Sequence, residues 1–283
     1  MSQYNINTQW VQMLDHLINK GEKVEPRGIP TRELMGYQTT VDMSSPILTI
    51  ADRKMNYDFM FGEAYYLLSG SNRVDLITQF MKVIGKFSDD GITFNGAYGP
   101  KIMEQMSYVV QTLFKDTESR QAVMSIWRER PASSKDIPCT LTLQFMIRDG
   151  KLNCFANMRS SDAWKGWVYD TFNFSMISHY ICNWFNILDG HEAITPGHLV
   201  LTAASQHLYE QNLEKAVAIR TAVKNHNVGY VITPDLFENY EHPDYLLDDL
   251  FAAGKQYHDR VNHITKSEVS RLLREVPKPN ETN

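Results

Sequence analysis

The segment 140–159 constrains the fold more than any other stretch of the chain. Leu141, Leu143, Phe145 and Ile147 alternate with Thr140, Thr142, Gln144 and Met146, the period of a strand buried on one face. Asp149-Gly150 follows, a dipeptide suited to a two-residue hairpin turn, and Lys151 to Arg159 alternates again on the way back. Phe172 to Leu188 then places Phe174, Ile177, Ile181, Trp184 and Leu188 on one side of a helix. A hairpin with one apolar face and a helix with one apolar stripe must each bury it against another layer. Similar stripes predict helices over 9–20, with Gly21 as the stop, over Met55–Leu68 and over Glu210–Asn225. The expected class is therefore mixed α+β. No repeat, low-complexity run or Gly/Ser-rich linker interrupts the 283 residues, so one domain over 1–283 is expected.

Composition acts mainly by exclusion. With 28 Lys and Arg against 33 Asp and Glu, the net charge is -5, and a broad electrostatic grip on nucleic acid is not expected. No apolar run reaches the roughly 18 residues a membrane helix needs. The amino-terminal MSQYNINTQW lacks the basic-then-apolar pattern of a signal peptide. Cys139, Cys154 and Cys182 are too scattered for a disulfide framework, and no Cys/His spacing suggests a metal site. A cytoplasmic protein with reduced thiols and no metal is the expectation.

Several residues carry chemical options. Cys139 stands where the first hairpin strand begins, and across the turn lies Arg159-Ser160-Ser161-Asp162. A lone cysteine is by default a small packing residue, but a neighbouring arginine would favour its thiolate. Cys154 and Cys182 lie inside a predicted strand and helix and read as packing residues. Cys139 with His207 is a conceivable hydrolase pair, though nothing in the sequence brings the two together. Glu63 interrupts an apolar helix and either faces solvent or is buried for a reason; burial would raise its pKa toward a general acid/base range. Asp170 in Trp167-Val168-Tyr169-Asp170-Thr171-Phe172 reads as a cap of the helix that follows.

Landmarks recur in one order along the chain: Gly62-Glu63 before Leu67-Leu68-Ser69-Gly70, Ala97-Tyr98-Gly99, Glu118-Ser119-Arg120, Pro138-Cys139-Thr140, Arg159-Ser160-Ser161-Asp162 and Ser205-Gln206-His207-Leu208-Tyr209. In this order and spacing the chain resembles the thymidylate synthase superfamily, and within it the bacteriophage deoxycytidylate (dCMP) hydroxymethylases. The resemblance spans roughly residues 8 to 250 and is densest from Arg120 to Tyr209. It implies a mixed β-sheet packed by helices and a sheet-to-sheet homodimer. It also implies a pyrimidine nucleoside monophosphate substrate with 5,10-methylenetetrahydrofolate as co-substrate. Position by position, Cys139 matches the nucleophile that adds to C6 of the pyrimidine, and Arg159 and Ser160 match ligands of the nucleotide phosphate. Arg120 matches an arginine donated across the dimer, and Arg27 lies in the amino-terminal phosphate loop. His207 and Tyr209 match residues that hold the sugar 3′-hydroxyl, Asp162 and Tyr98 match folate and proton-transfer groups, and Glu63 matches the carboxylate that orders catalytic water.

Asp170 bears on the base. The synthases carry asparagine at the matching position, which pairs with O4 and N3–H of uracil, whereas the dCMP enzymes carry aspartate. An ionised carboxylate pairs poorly with the uracil edge, whereas opposite cytosine the carboxyl group accepts from the 4-amino group and shares a proton with N3; a mismatched edge costs about 1–3 kcal/mol. The expected activity is dCMP hydroxymethylation through a Cys139–C6 adduct, followed by hydration. Thr140 and Ser205 also depart from the synthase pattern toward the hydroxymethylases. A polar tail from about residue 270, ending Pro277-Lys278-Pro279-Asn280-Glu281-Thr282-Asn283, replaces the apolar lid that protects hydride transfer in the synthases. Gln121 stands where the family has a second arginine, and the loop Glu25 to Arg32 leaves the register of Arg27 open. The alternatives are a dCMP or CMP methyltransferase, a dUMP hydroxymethylase or thymidylate synthase, and an inactive binding relative.

Overall fold

The computed structural model describes residues 3–129, 133–225, 232–234, 242–258 and 273–275. In chain order the elements begin with α1 (Ile6–Lys20), β1 (Glu22–Val24), β2 (Thr31–Asp42), α2 (Tyr57–Leu68), α3 (Val74–Ile77) and α4 (Gly99–Lys115). The middle of the chain supplies β3 (Val123–Ser125), β4 (Thr140–Arg148), β5 (Lys151–Met158), β6 (Ser161–Asp162) and α5 (Trp167–Asn186). Then follow β7 (Thr195–Tyr209), α6 (Leu213–Asn225), β8 (Ile232–Pro234), α7 (Tyr245–His258) and β9 (Leu273–Glu275).

One mixed sheet runs in the order β1-β2-β7-β5-β4-β3, with β6 added beside β7. The predicted hairpin is its centre. β4 and β5 pair antiparallel, and the turn residues Asp149 and Gly150 take φ of 51° and 68°, the left-handed pair that such a turn requires. β5 and β6 both run parallel to β7, so α5 is the crossover that a parallel connection needs. Leu143, Phe145, Leu152, Cys154, Ala156, Leu199, Leu201 and Ala203 are buried on the helix side of the sheet. The opposite side carries Thr142, Gln144, Met146, Asn153, Phe155, His198, Val200 and Thr202, all partly open.

Helix boundaries differ from the sequence expectation in one informative place. α5 starts at Trp167, five residues before Phe172, because Trp167 and Val168 already carry its buried stripe. Asp170 is therefore inside the first turn, its N–H donating to the Gly166 carbonyl at 2.9 Å, and is not the cap of the helix as expected. α1 ends at Lys20 with Gly21 as predicted, and α2 begins two residues inside its expected start. Cys154 and Cys182 are packing residues, fully and almost fully buried. The expected polar ending at 277–283 lies outside the described residues.

α2 and α7 approach closely around one ring. A Cβ built on Gly62 would stand 2.2 Å from the Phe80 ring, and one on Gly254 would stand 2.8 Å from it. Phe80 in turn meets Phe251, with ring centroids 6.2 Å apart. Two glycines thus make room for an aromatic wedge beside the turn that bears Glu63. Gly62→Ala should destabilise the protein by about 1–3 kcal/mol through overpacking, measured as a lower urea midpoint; an unchanged midpoint would mean that Phe80 moves aside freely.

Candidate active site

Cys139 sits just before β4 and is held from both sides. Its N–H and that of Thr140 each donate to the Tyr98 hydroxyl at 3.1 Å, while its carbonyl accepts from the Arg159 N–H at 2.9 Å. Tyr98 stands at the start of α4, and burial with the nearby Asp170 carboxyl pushes its phenol well above the ordinary range. The Arg159 guanidinium is 3.7 Å from the Cys139 sulfur and is fixed by the carbonyls of Pro138 (2.8 Å) and Ile137 (3.1 Å). Burial nevertheless outweighs that arginine and pushes the Cys139 thiol up, with Asp170 adding to the rise. Burial thus works against the thiolate that Arg159 alone would favour.

A polar cavity of about 680 Å³ opens in front of the sulfur. Arg159 and Ser160 line it, with Asp162, His207, Tyr209 and Arg27. The β6–β7 register sets Asp162 opposite His207, and the Ser160 hydroxyl lies 3.4 Å from His207 Nδ1. Burial lowers the His207 pKa, against the opposing pull of Asp162, so the ring is a neutral hydrogen-bonding group. His207 shares the cavity with Cys139, but the group in contact with the sulfur is Arg159. Arg27, in a turn with φ of 56°, brings a second cation to the same wall. Ser205 hydrogen-bonds Glu33 across the β2–β7 pair.

A second, smaller cavity of about 230 Å³ adjoins the first, sharing Phe87, Asp136 and Asp170 with it. Its walls are apolar at Ile77, Ile84, Phe87 and Phe94 and polar at Glu63, Asp170 and Asn173. Glu63 faces this cavity, which settles the open question of its side. Its carboxylate accepts from Asn173 Nδ2 at 2.8 Å, and burial raises its pKa to about 7 despite that bond. Burial, then the nearby Glu63 and Asp162, holds the Asp170 carboxyl well above the usual range, which favours its protonated form. Asp136 at the junction accepts from the Gly96 N–H at 2.7 Å and is also raised by burial.

Arg120 is elsewhere. With Gln121, Arg148 and Lys115 it lines a separate open groove of about 1150 Å³ that includes none of the residues around Cys139. Asn173 and Asp136 escaped the sequence reading. Asn173 lies one helical turn beyond Asp170 and so on the same face, a spacing that would have singled it out; Asp136, in an irregular loop, offered no such signal. Among the described residues there is no group of three or more His, Cys, Asp or Glu side chains arranged for a metal, and no helix is long and apolar enough to cross a membrane.

Two phage proteins are similar to this chain along most of these elements. A deoxyuridylate hydroxymethyltransferase of Pseudomonas phage M6 is 27% identical over 243 residues, which cover 82% of this chain and 67% of the relative. A deoxyuridylate hydroxymethyltransferase of Bacillus phage SP01 is 27% identical over 201 residues, covering 63% of this chain; the chain spans about half, 52%, of that relative. The family model described as thymidylate synthase matches residues 8–266, a span that contains both cavities, and the chain therefore belongs to the thymidylate synthase family.

Proposed function

We propose that this chain is a folate-dependent hydroxymethyltransferase that places a CH2OH group on C5 of a pyrimidine deoxynucleotide, with dCMP as its preferred substrate. The observation that carries the reading is the joining of two cavities at Asp170, with Cys139 in the polar one and Glu63 in the other. Arg159, Arg27 and Ser160 suit a phosphate, and His207 and Tyr209 a sugar hydroxyl. The small cavity suits a flat ring, with Ile77, Ile84, Phe87 and Phe94 as walls and Asp170 at its mouth. Those are the residues that would hold the folate. 5,10-methylenetetrahydrofolate, the co-substrate of the family, supplies a one-carbon unit at the oxidation level of formaldehyde.

The chain's own groups do the rest. The Cys139 thiol loses its proton as its sulfur bonds C6, and the ring electrons released make C5 nucleophilic. Tyr98 fixes the backbone that carries the sulfur, and Arg159 offsets the negative charge there. Asp170, in its protonated form, donates to N3 of cytosine and accepts from the 4-amino group. As charge enters the ring the proton passes to N3, leaving an ion pair that stabilises it. Once C5 has bonded the one-carbon unit and has lost its proton as tetrahydrofolate leaves, an exocyclic methylene remains; Glu63 takes a proton from the water that adds to it, and the sulfur departs as C5=C6 re-forms.

A neutral carboxyl has one donor and one acceptor, so Asp170 also fits the reversed edge of uracil. The names of the two phage relatives favour dUMP as the second reading. The preference for cytosine rests on the proton relay, since N3 of uracil already carries its hydrogen. Mass spectrometry of the products from dCMP and dUMP decides the base. A gain of CH2O on dCMP supports the first reading, the same gain on dUMP alone supports the second, and a gain of CH2 would make the enzyme a methyltransferase. Asp170→Asn should move preference from dCMP toward dUMP by about ten- to a hundredfold.

The proposal includes a homodimer. The sheet side bearing Gln144, Met146, Phe155 and Val200 is partly open among the described residues, and Arg120 lines a groove separate from that of Cys139, as an arginine serving a second copy would. Cys139→Ala and Arg120→Ala should each be inactive, and an equal mixture should recover about a quarter of wild-type activity, because half the dimers then hold one intact site. No recovery after subunit exchange would place Arg120 in the site of its own chain, or outside any site.

A further inference from the structure

The structure assigns Asn173 a part in the reaction: we propose that its side chain, with the Tyr66 hydroxyl, completes the site for the water that Glu63 activates, and so makes the reaction end in hydration. This rests on the hydroxymethyltransferase reading and deepens it. Glu63 and Tyr66 are one turn apart on α2, and Asp170 and Asn173 are one turn apart on α5. The two helices cross so that all four side chains line the 230 Å³ cavity.

The bonding leaves little freedom. The Glu63 carboxylate accepts from Asn173 at 2.8 Å, so the amide must present its NH2 to Glu63 and turn Oδ1 away. Asn173 is 3% exposed and Tyr66 6%. Among the described residues, Asn173 Oδ1 and the Tyr66 hydroxyl oxygen are both buried without a hydrogen-bond partner. Two orphaned polar atoms beside a carboxylate in one small cavity are what a bound water requires, since such a water needs two to four polar partners. Asn173 Oδ1 accepts from the water, Tyr66 donates to it, and Glu63 takes its second proton. The water oxygen bonds the exocyclic methylene on C5, the methylene π electrons move into the ring, and they return to re-form C5=C6 as the Cys139 sulfur leaves with its bonding pair. Water is the only reagent consumed in these steps.

Asn173 therefore acts through Glu63 and the water and is a positioning residue. The titratable groups facing Glu63 are Asp170 and Tyr169 from α5, Tyr66 on its own helix, and Tyr98 and Asp136 across the cavity. Of the polar groups there, Asn173 lowers the Glu63 pKa. Its loss moves that pKa upward, so the basic form is reached only at higher pH.

The test measures release of tritium from C5 and formation of hydroxymethyl product, from dCMP and from dUMP, for wild type, Asn173→Ala and the nearly isosteric Tyr66→Phe. In Asn173→Ala, kcat for product should fall about tenfold with the nucleotide KM within about twofold. The acid limb of the kcat profile should move to higher pH, so that part of the rate returns as pH rises. Tritium release should begin with a burst equal to the enzyme and then continue at the slow rate of product formation, with the nucleotide accumulating on Cys139 by intact mass. Tyr66→Phe should give the same burst with a smaller fall, and carries the test if Asn173→Ala does not fold. Product formation that stays equal to tritium release in both variants, with the pH limb unmoved, overturns the inference and leaves the hydroxymethyltransferase reading standing. Wild type that releases no tritium from either nucleotide overturns that reading and this inference with it.

Discussion

Glu63 and Asp170 reach one low-dielectric cavity because α2 crosses α5, and two carboxyl groups so placed cannot both ionise without large cost. The conflict divides their labour. Burial and its neighbours raise Asp170 well above the usual range, so that in the proposed reaction it can offer both a donor and an acceptor. Glu63, relieved by one hydrogen bond from Asn173, is raised to about 7, where it can serve as the proposed base. The rest of the site follows from where that crossing stands. It puts the two carboxyl groups in the small cavity and leaves the cationic wall of Arg159 and Arg27 in the larger polar one.

The sulfur shows a second compromise. Anchoring Cys139 between Tyr98 and Arg159 fixes its direction but takes it out of water, and desolvation outweighs the favourable charge. A thiol pushed toward its protonated form is less open to oxidation or stray electrophiles, since the thiolate is the reactive form.

Much of this was legible in the residues. The alternation over 140–159 and the turn at Asp149-Gly150 foretold β4 and β5, and the spacing of motifs foretold the set around Cys139. What did not show were contacts set by packing between distant segments. Asp170 reads as a helix cap because Asp commonly starts helices; the buried Trp167 and Val168 moved the start upstream and turned Asp170 into the cavity. The side of α2 on which Glu63 lies was undecidable, because an almost wholly apolar helix has no obvious wet face. The spacing from Asp170 marks the face on which Asn173 lies, but its bond to Glu63, 110 residues away on another helix, has no trace in the sequence. The depression of the Cys139 pKa, inferred from Arg159 alone, failed because sequence shows charges but not burial.

The parallel pairing of β6 with β7 brings Asp162 alongside His207, and the chain between them includes all of α5. No continuous fragment shorter than that crossover contains both walls of the larger cavity. Affinity for any ligand of that cavity is then a property of the assembled sheet, linked by mass action to global unfolding rather than to local loop order. The same register also makes the crossover a ruler. Adding or removing one residue in β6 or β7 would exchange inward for outward side chains and erase the binding wall, while a change of length in the loop after α5 would leave it intact.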